Sequence, residues 1–320
     1  MLASERSEQS NTARVRRWAR GFRDRDTWAA YGFMTPWLIG FVVFLAGPMI
    51  ISLVLSFTDY DGLRETSNVG IANYEQLLSD PKIRRSLSNT VIYAIMIVPG
   101  TMVVALGLAM MLSRVGRRSA GVFRTLFYLP EVTPKVAVGV LFLMLFNGQV
   151  GLVNGALGLV RIDGPDWSTD PAWVKPGLAL MHIWSVGGTV IIYLAALNNV
   201  PRDLYEAAEL DGVSAWQRFR HITVPMISHA LFFTLIVQTI NALQTFDEAY
   251  AAFYGSSASA TYSSDAALFY LVYLFQQAFQ FLHMGYASAM AWLLFVVIMV
   301  ITAIQIKVSK RFVYYEGGDR

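Results

Sequence analysis

The sequence predicts an all-α integral membrane protein with six transmembrane helices, and three observations lead there. Hydrophobic residues make up 55% of the chain and charged residues only 15%, against about a quarter charged in an ordinary soluble domain. The apolar residues collect into runs that reach the roughly 20 residues a helix needs to cross the bilayer. Basic residues flank those runs mostly on one side, as they do in membrane proteins, where short cytoplasmic loops gather Lys and Arg.

Taken in order, residues 1–28 read as a basic tail carrying Arg6, Arg14, Arg16, Arg17, Arg20, Arg23 and Arg25. Such a tail is expected to be disordered or to lie on the headgroups. The first apolar run then starts too late for an ordinary cleaved signal peptide and is read as a retained span. The membrane domain is expected over 29–312, with spans at about 31–57, 89–112, 122–146, 176–197, 225–246 and 286–306. A second short tail follows at 313–320. Pro36 falls in the first turns of the first span, and Gly47-Pro48 should kink it. Asn89-Thr90 is expected to open the second span, and Pro130, Glu131, Pro134 and Lys135 crowd the first half of the third. Glu131 and Lys135, four apart, are expected to neutralise each other. The run 266–282 is apolar but short, contains Gln276, Gln277 and Gln280, and is parted from the last span by His283-Met284-Gly285. It reads as an interfacial or re-entrant helix rather than a seventh span.

The charge count sets an orientation. With the N-terminus inside, the inner segments hold eighteen Lys and Arg and the outer ones six, with Lys135 left in a span. Both termini are therefore expected in the cytoplasm.

Several chemistries are excluded. There is no cysteine, so disulfides, thiolate metal sites and cysteine nucleophiles are ruled out. No lysine follows a glycine, so the chain has no P-loop and no cofactor is expected in it. His182, His221, His229 and His283 have no metal-ligand spacing, and no Gly-x-Ser-x-Gly turn occurs. The basic residues form no single patch, so no nucleic-acid partner is expected. Nothing suggests an enzyme.

Between the fourth and fifth spans stands a polar stretch, 198–224, with a definite plan. Pro201 suits a first helical position and Tyr205–Leu210 are good helix formers. Gly212 supplies a left-handed stop. Ser214 with Gln217 is a capping-box pattern that restarts a short helix. Trp216, Phe219 and Ile222 recur at helical spacing, and Pro225 opens the next span. The result is a helix-turn-helix elbow in which Ala207 and Ala208 permit close approach. On physics alone it fits a groove on another protein, or it rests on the headgroups with Trp216 as an anchor and Arg218 and Arg220 on phosphates.

Glu206-Ala207-Ala208, then Asp211-Gly212 and the Ile222 to Pro225 ending, resemble the EAA loop of permeases in binding-protein-dependent ABC importers. Further segments are similar to the carbohydrate branch of that family: Gly70-Ile-Ala-Asn-Tyr74 with Asn89-Thr90, Phe127-Tyr-Leu-Pro130, Thr245-Phe-Asp-Glu-Ala-Tyr250, Gln277-Ala-Phe279 and Met284-Gly-Tyr-Ala-Ser-Ala289. The resemblance runs from about residue 31 to Tyr315. It is nearest to the first of two permeases, the kind homologous to maltose and glycerol-phosphate transporter subunits. The segment Tyr254 to Ser264 departs from it where relatives often carry a Gly-Gly-Pro-type turn. The resemblance implies the type I ABC importer permease fold. It also implies a homologous second permease, cytoplasmic ATPase subunits that hold ATP and Mg, and an extracytoplasmic solute-binding protein. Glu206, Ala207, Ala208, Asp211, Gly212, Trp216, Phe219, Ile222 and Pro225 would then form the coupling loop that docks on the ATPase.

Two polar stripes are candidate linings for a sugar-like solute. His182, Ser185, Thr189 and Tyr193 fall on one face of the fourth span, and Thr234, Gln238, Asn241 and Thr245 on one face of the fifth. Tyr193 or Trp184 could stack on a sugar. The alternative is interhelical glue, worth about 0.6 kcal/mol per contact. A stand-alone ion-coupled transporter is a rival reading, but it would need paired intramembrane acids, and Glu131 is nearly the only candidate.

Overall fold

A computed structural model describes residues 25–115, 117–167, 169–254 and 265–310. Most of the first tail, the second tail and the departing segment 255–264 lie outside the described residues. Among those described there is no strand, only one antiparallel bridge between Thr58 and Asn68.

The chain opens with α1 (Arg25–Phe41), which passes through a π-helical turn at Val42–Ala46 into α2 (Gly47–Leu55). Pro36 and Pro48 sit inside this run without stopping it, and Trp28–Leu55 is long and apolar enough to cross a membrane. None of its most apolar window is buried against the rest of the chain. After α3 (Ala72–Ser79), α4 (Pro81–Ser113) runs unbroken for 33 residues, about 50 Å at 1.5 Å per residue. It starts eight residues before the expected boundary. Asp80 caps it by accepting from the Lys82 amide at 2.8 Å, and Pro81 takes a first-turn position where a missing N–H costs nothing. Asn89 and Thr90 therefore lie inside the helix.

The next three spans are broken. The third pairs α5 (Arg117–Tyr128), followed by a 3₁₀ turn at Pro130–Val132, with α6 (Lys135–Leu145); the two halves bend by 94°. Pro130 and Pro134 remove two helical donors and clash with the preceding turn, so a straight helix is not available here. After α7 (Leu152–Leu159), the fourth span pairs α8 (Val174–Trp184) with α9 (Gly187–Asn198) at 53°. The elbow follows as α10 (Arg202–Leu210), α11 (Ala215–Arg218), a π turn at Phe219–Thr223 and α12 (Val224–Met226). It bends by 69° into α13 (Ser228–Leu243) and α14 (Asp247–Phe253). Then α15 (Tyr270–Phe275) continues as a π turn at Gln276–Gln280, and α16 (Met284–Ser309) closes the described chain. Counting each bent pair once gives six spans. The 266–282 run is not one of them: α15 is only six residues long, and Tyr270 and Val272 within it, with Phe269 just before it, are at 0% exposure.

α4 organises the interior. Its first half joins a cluster with Phe142, Leu178, Phe269, Tyr270 and Met290, and its second half joins one with Val190, Tyr193 and Ile227. Lipid tails are as apolar as these side chains, so helix contact here rests on close packing and hydrogen bonds rather than expulsion of water. Ala105 and Ala109, four apart and both fully buried, permit that approach against α9 and α13.

Candidate functional site

At the end of α4 that terminates in Ser113, the elbow folds as its residues dictate. Gly212 has φ +71°, the left-handed stop for α10. The Val213 amide reaches back to the Ala208 carbonyl at 3.0 Å. Ser214 and Gln217 form the full capping box: Ser214 Oγ accepts from the Gln217 amide at 3.3 Å and Gln217 Oε1 accepts from the Ser214 amide at 3.0 Å. A hydroxyl pair, Tyr205 to Thr223 at 2.9 Å, ties the two arms together.

The loop residues divide into two sets. Glu206, Ala207, Asp211 and Gly212 are exposed, as is Trp216, which packs on half-buried Phe219. Leu210, a residue the sequence pattern did not single out, is 90% exposed and extends this surface. Ala208 is turned inward at 8% exposure, so it does not offer the close approach expected of it. Ile222 packs on the cluster around Val190 and Tyr193, and Pro225 sits half-buried at the start of α12. These three anchor the elbow; the exposed five present it.

The polar stripes behave differently. The break after Trp184 throws Ser185 out of phase, so His182, Ser185, Thr189 and Tyr193 do not share one helix face. Thr189 accepts from Gln238 Nε2 at 2.9 Å, and the Tyr193 and Thr234 hydroxyls pair at 2.6 Å. Thr245 is buried and donates to the Ala242 carbonyl at 2.9 Å. These side chains join α9 to α13 and return to their own backbone. Tyr193, at 0% exposure, offers no face to a sugar. Asn241, Ser185 and Trp184 keep exposed surface.

Lys135 does not pair with Glu131. Its Nζ lies 4.0 Å from Glu248 Oε1, and His182 Nδ1 lies 3.5 Å from the same oxygen. Glu248 is 8% exposed on α14, so three broken spans meet at one buried carboxylate. Its position in Thr245-Phe-Asp-Glu-Ala-Tyr250 was visible in the sequence; its partners, 66 and 113 positions away, were not.

At the other end of α4, a polar clasp collects the remaining motifs. Asn73 Nδ2 donates to the Ser56 and Thr58 carbonyls at 2.9 and 2.8 Å. Asn89 Nδ2 donates to the Asp265 and Leu268 carbonyls at 2.6 and 3.0 Å, and Thr90 Oγ1 accepts from the Tyr270 amide at 2.9 Å. Tyr273 and Tyr286 both donate to Asp80 Oδ2, at 2.7 and 2.9 Å. Partial burial pushes the Asp80 carboxyl up, but the Tyr273 hydroxyl and the Lys82 amide outweigh it and hold it below the ordinary carboxylate value. Gly285 donates to the Tyr60 carbonyl at 2.9 Å, and a β-carbon there would stand 2.0 Å from the Thr58 carbonyl oxygen.

Residues 78–314 match the family described as binding-protein-dependent transport system inner membrane component. The chain is 38% identical over 298 residues to the probable ABC transporter permease protein YesP of Bacillus subtilis, covering 92% of this chain and 94% of that protein. It is 35% identical over 277 residues to the lactose transport system permease protein LacF of Rhizobium radiobacter, covering 85% and 91%. Among solved structures, a chain of a bacterial ABC transporter involved in import of the acidic polysaccharide alginate superposes with a TM-score of 0.79. That chain is 24% identical, with 93% of this chain and 100% of the other covered.

Proposed function

This chain belongs to the binding-protein-dependent transport system inner membrane components and is a permease subunit of an ABC transporter; we propose that it imports a sugar or sugar-like solute. The solute class is supported by the lactose permease among its relatives. In this reading a homologous second permease completes the passage, and an extracytoplasmic binding protein delivers the solute. Cytoplasmic ATPase subunits hold ATP and Mg. The protein lies in the bacterial inner membrane as the domain 29–312, with both tails in the cytoplasm, an orientation supported by eighteen inner basic residues against six outer ones.

The observation that carries the mechanism is the elbow. Glu206, Ala207, Leu210, Asp211, Gly212 and Trp216 form an exposed surface on a rigidly capped turn. Leu210 and Trp216 are both largely exposed on it, and Trp216 packs on Phe219, so the surface offers apolar side chains to a docking partner. The ATPase receives this surface, and its closure on ATP moves α10 to α12. Ile222, packed on the bundle, passes that movement to α9 and α13, so the passage faces alternately outside and inside. Asn241 and Ser185, which retain free surface beside the α9–α13 contact, are the solute-facing members of the stripes; Thr189, Tyr193, Gln238 and Thr245 hold the wall behind them.

The chain has no cysteine, so single introduced cysteines give an unambiguous test. A cross-linker on Cys in place of Ala207, applied in native membranes, should trap a P-loop ATPase identified from its peptides. The same substitution at Ala208 should not. Equal yields, or headgroup adducts alone from Ala207, would return the elbow to the membrane surface.

A further inference from the structure

Beneath the elbow lies a cavity of about 270 Å³, to which the coupling reading assigns no ligand. Ser113 and Arg114 line it from the end of α4, Leu197 from α9, and Tyr205, Arg218 and Thr223 from the two arms of the elbow. No carboxylate is among its lining residues. Arg114 is the C-cap of α4 and has no ion pair among the described residues. Arg218 is 28% exposed in its side chain and lies 3.7 Å from Glu209 Oε1, whose own side chain is 75% exposed. A carboxylate that open to water neutralises little of a guanidinium. The end of α4 contributes about half a negative charge, which two guanidiniums exceed. The cavity therefore presents net positive charge, with hydroxyls and the apolar side chains of Met110, Leu197, Ala215 and Phe219 beside it.

An anion with a polar, tetrahedral head suits such a site, because guanidinium groups match phosphate oxygens with paired N–H donors. The cavity exceeds a phosphate alone, since a single water occupies about 30 Å³ of liquid, and has room for the adjoining glycerol. It also sits at the end of a membrane-crossing helix, the level at which headgroups lie. We propose that this pocket binds the phosphate of an anionic phospholipid from the cytoplasmic leaflet, seated between Arg114 and Arg218. The lipid then bridges the fixed end of α4 to the mobile arm of the elbow, so coupling depends on the leaflet as well as on the ATPase. The inference rests on the orientation proposed above, but not on the identity of the solute.

The test uses the intact transporter in phosphatidylcholine vesicles containing a photoactivatable phosphatidylglycerol. Adducts should map to 113–114 or 215–223, and unlabelled phosphatidylglycerol should compete where extra phosphatidylcholine does not. Arg114→Gln and Arg218→Gln should each weaken labelling several-fold, and the pair about tenfold or more. Arg220→Gln, exposed and outside the cavity, should leave it unchanged. If the double variant does not assemble, the single variants carry the comparison. Labelling equal to wild type in both overturns the site. Competition by inorganic phosphate or glycerol 1-phosphate as strong as by the lipid overturns the lipid as occupant. Loss of the ATPase from the variants with lipid labelling intact shows that the arginines meet an acidic partner side chain instead. Adducts at this site on a chain whose tails prove extracytoplasmic would sink the orientation while keeping the pocket.

Discussion

The two ends of α4 are built on opposite plans. Around Asp80 and Asn89, buried side chains donate to backbone carbonyls of segments up to 179 positions away, and two tyrosines share one carboxylate oxygen. Around Ser113, the elbow is held mostly by its own turns. Its arms are joined by a hydroxyl pair and a loose Arg218–Glu209 contact, it meets the bundle through apolar packing of Tyr205, Ile222 and Met226, and it leaves Leu210 and Trp216 exposed. In hydrocarbon, or at its edge, an unsatisfied backbone group costs several kcal/mol, so short irregular segments such as 265–269 survive only where side chains satisfy them. The clasp end is thus tied together by hydrogen bonds within one chain, whereas the elbow end keeps the exposed surface that the proposed coupling assigns to a partner.

The largest effect should come from the clasp. Gly285→Val places a side chain where even a β-carbon would stand 2.0 Å from the Thr58 carbonyl oxygen and 3.2 Å from the Leu55 carbonyl oxygen. Both neighbours are backbone, so neither can turn away. The first and last spans should separate, and the protein should be degraded or trapped in an aggregate. Protease sensitivity in membranes checks this. Full accumulation of Gly285→Val would mean the two ends are not as unlike as they look.

The elbow should give the reverse pattern, with normal accumulation and failed transport. Gly212 has φ +71° with open space around its missing side chain, so Gly212→Val meets no clash and costs about 1 kcal/mol of backbone strain. That is small for a six-span bundle but enough to redirect α11 and its capping box. Glu206→Lys reverses a charge on an exposed face. Both variants should insert normally, hold the ATPase weakly and import poorly, read by co-purification beside uptake. Wild-type uptake in both would break the comparison.

The elbow was legible in the sequence almost residue by residue, because its structure is local. A left-handed glycine, a capping box and a proline at a helix start act within a few positions. The clasp was visible only as motifs without reasons. Asn89-Thr90 read as a span opening, since a polar pair before an apolar run marks a boundary. What sets the true boundary is Asp80-Pro81, and the job of Asn89 and Thr90 lies on a segment far along the chain. The third, fourth and fifth spans were legible as apolar runs but not as broken ones, although Pro130 and Pro134 stood in view. The Glu131–Lys135 pairing failed for the same reason. A four-residue spacing makes neighbours only on a continuous helix, and the chain bends by 94° in that stretch.

The smallest effect is also the one that divides the polar stripes. Gln238 donates to Thr189 across the α9–α13 contact at 2.9 Å, whereas no hydrogen bond ties the exposed Asn241 side chain to another described residue. Gln238→Leu removes one interhelical bond, and about 0.6 kcal/mol is the usual loss for such a contact in a membrane. It leaves Thr189 Oγ1 without that donor, which adds to the cost. Asn241→Leu removes no bond and adds apolar surface. Thermal stability of the purified transporter should therefore fall slightly for Gln238→Leu and stay level for Asn241→Leu. Uptake should show the opposite order if, as proposed above, Asn241 faces the passage and Gln238 braces the wall behind it. A variant at Asn241 that loses stability without a change in uptake would make both stripes packing. The solute-facing surface would then have to be sought elsewhere, with exposed Trp184 and half-buried Ser185 as the first residues to change.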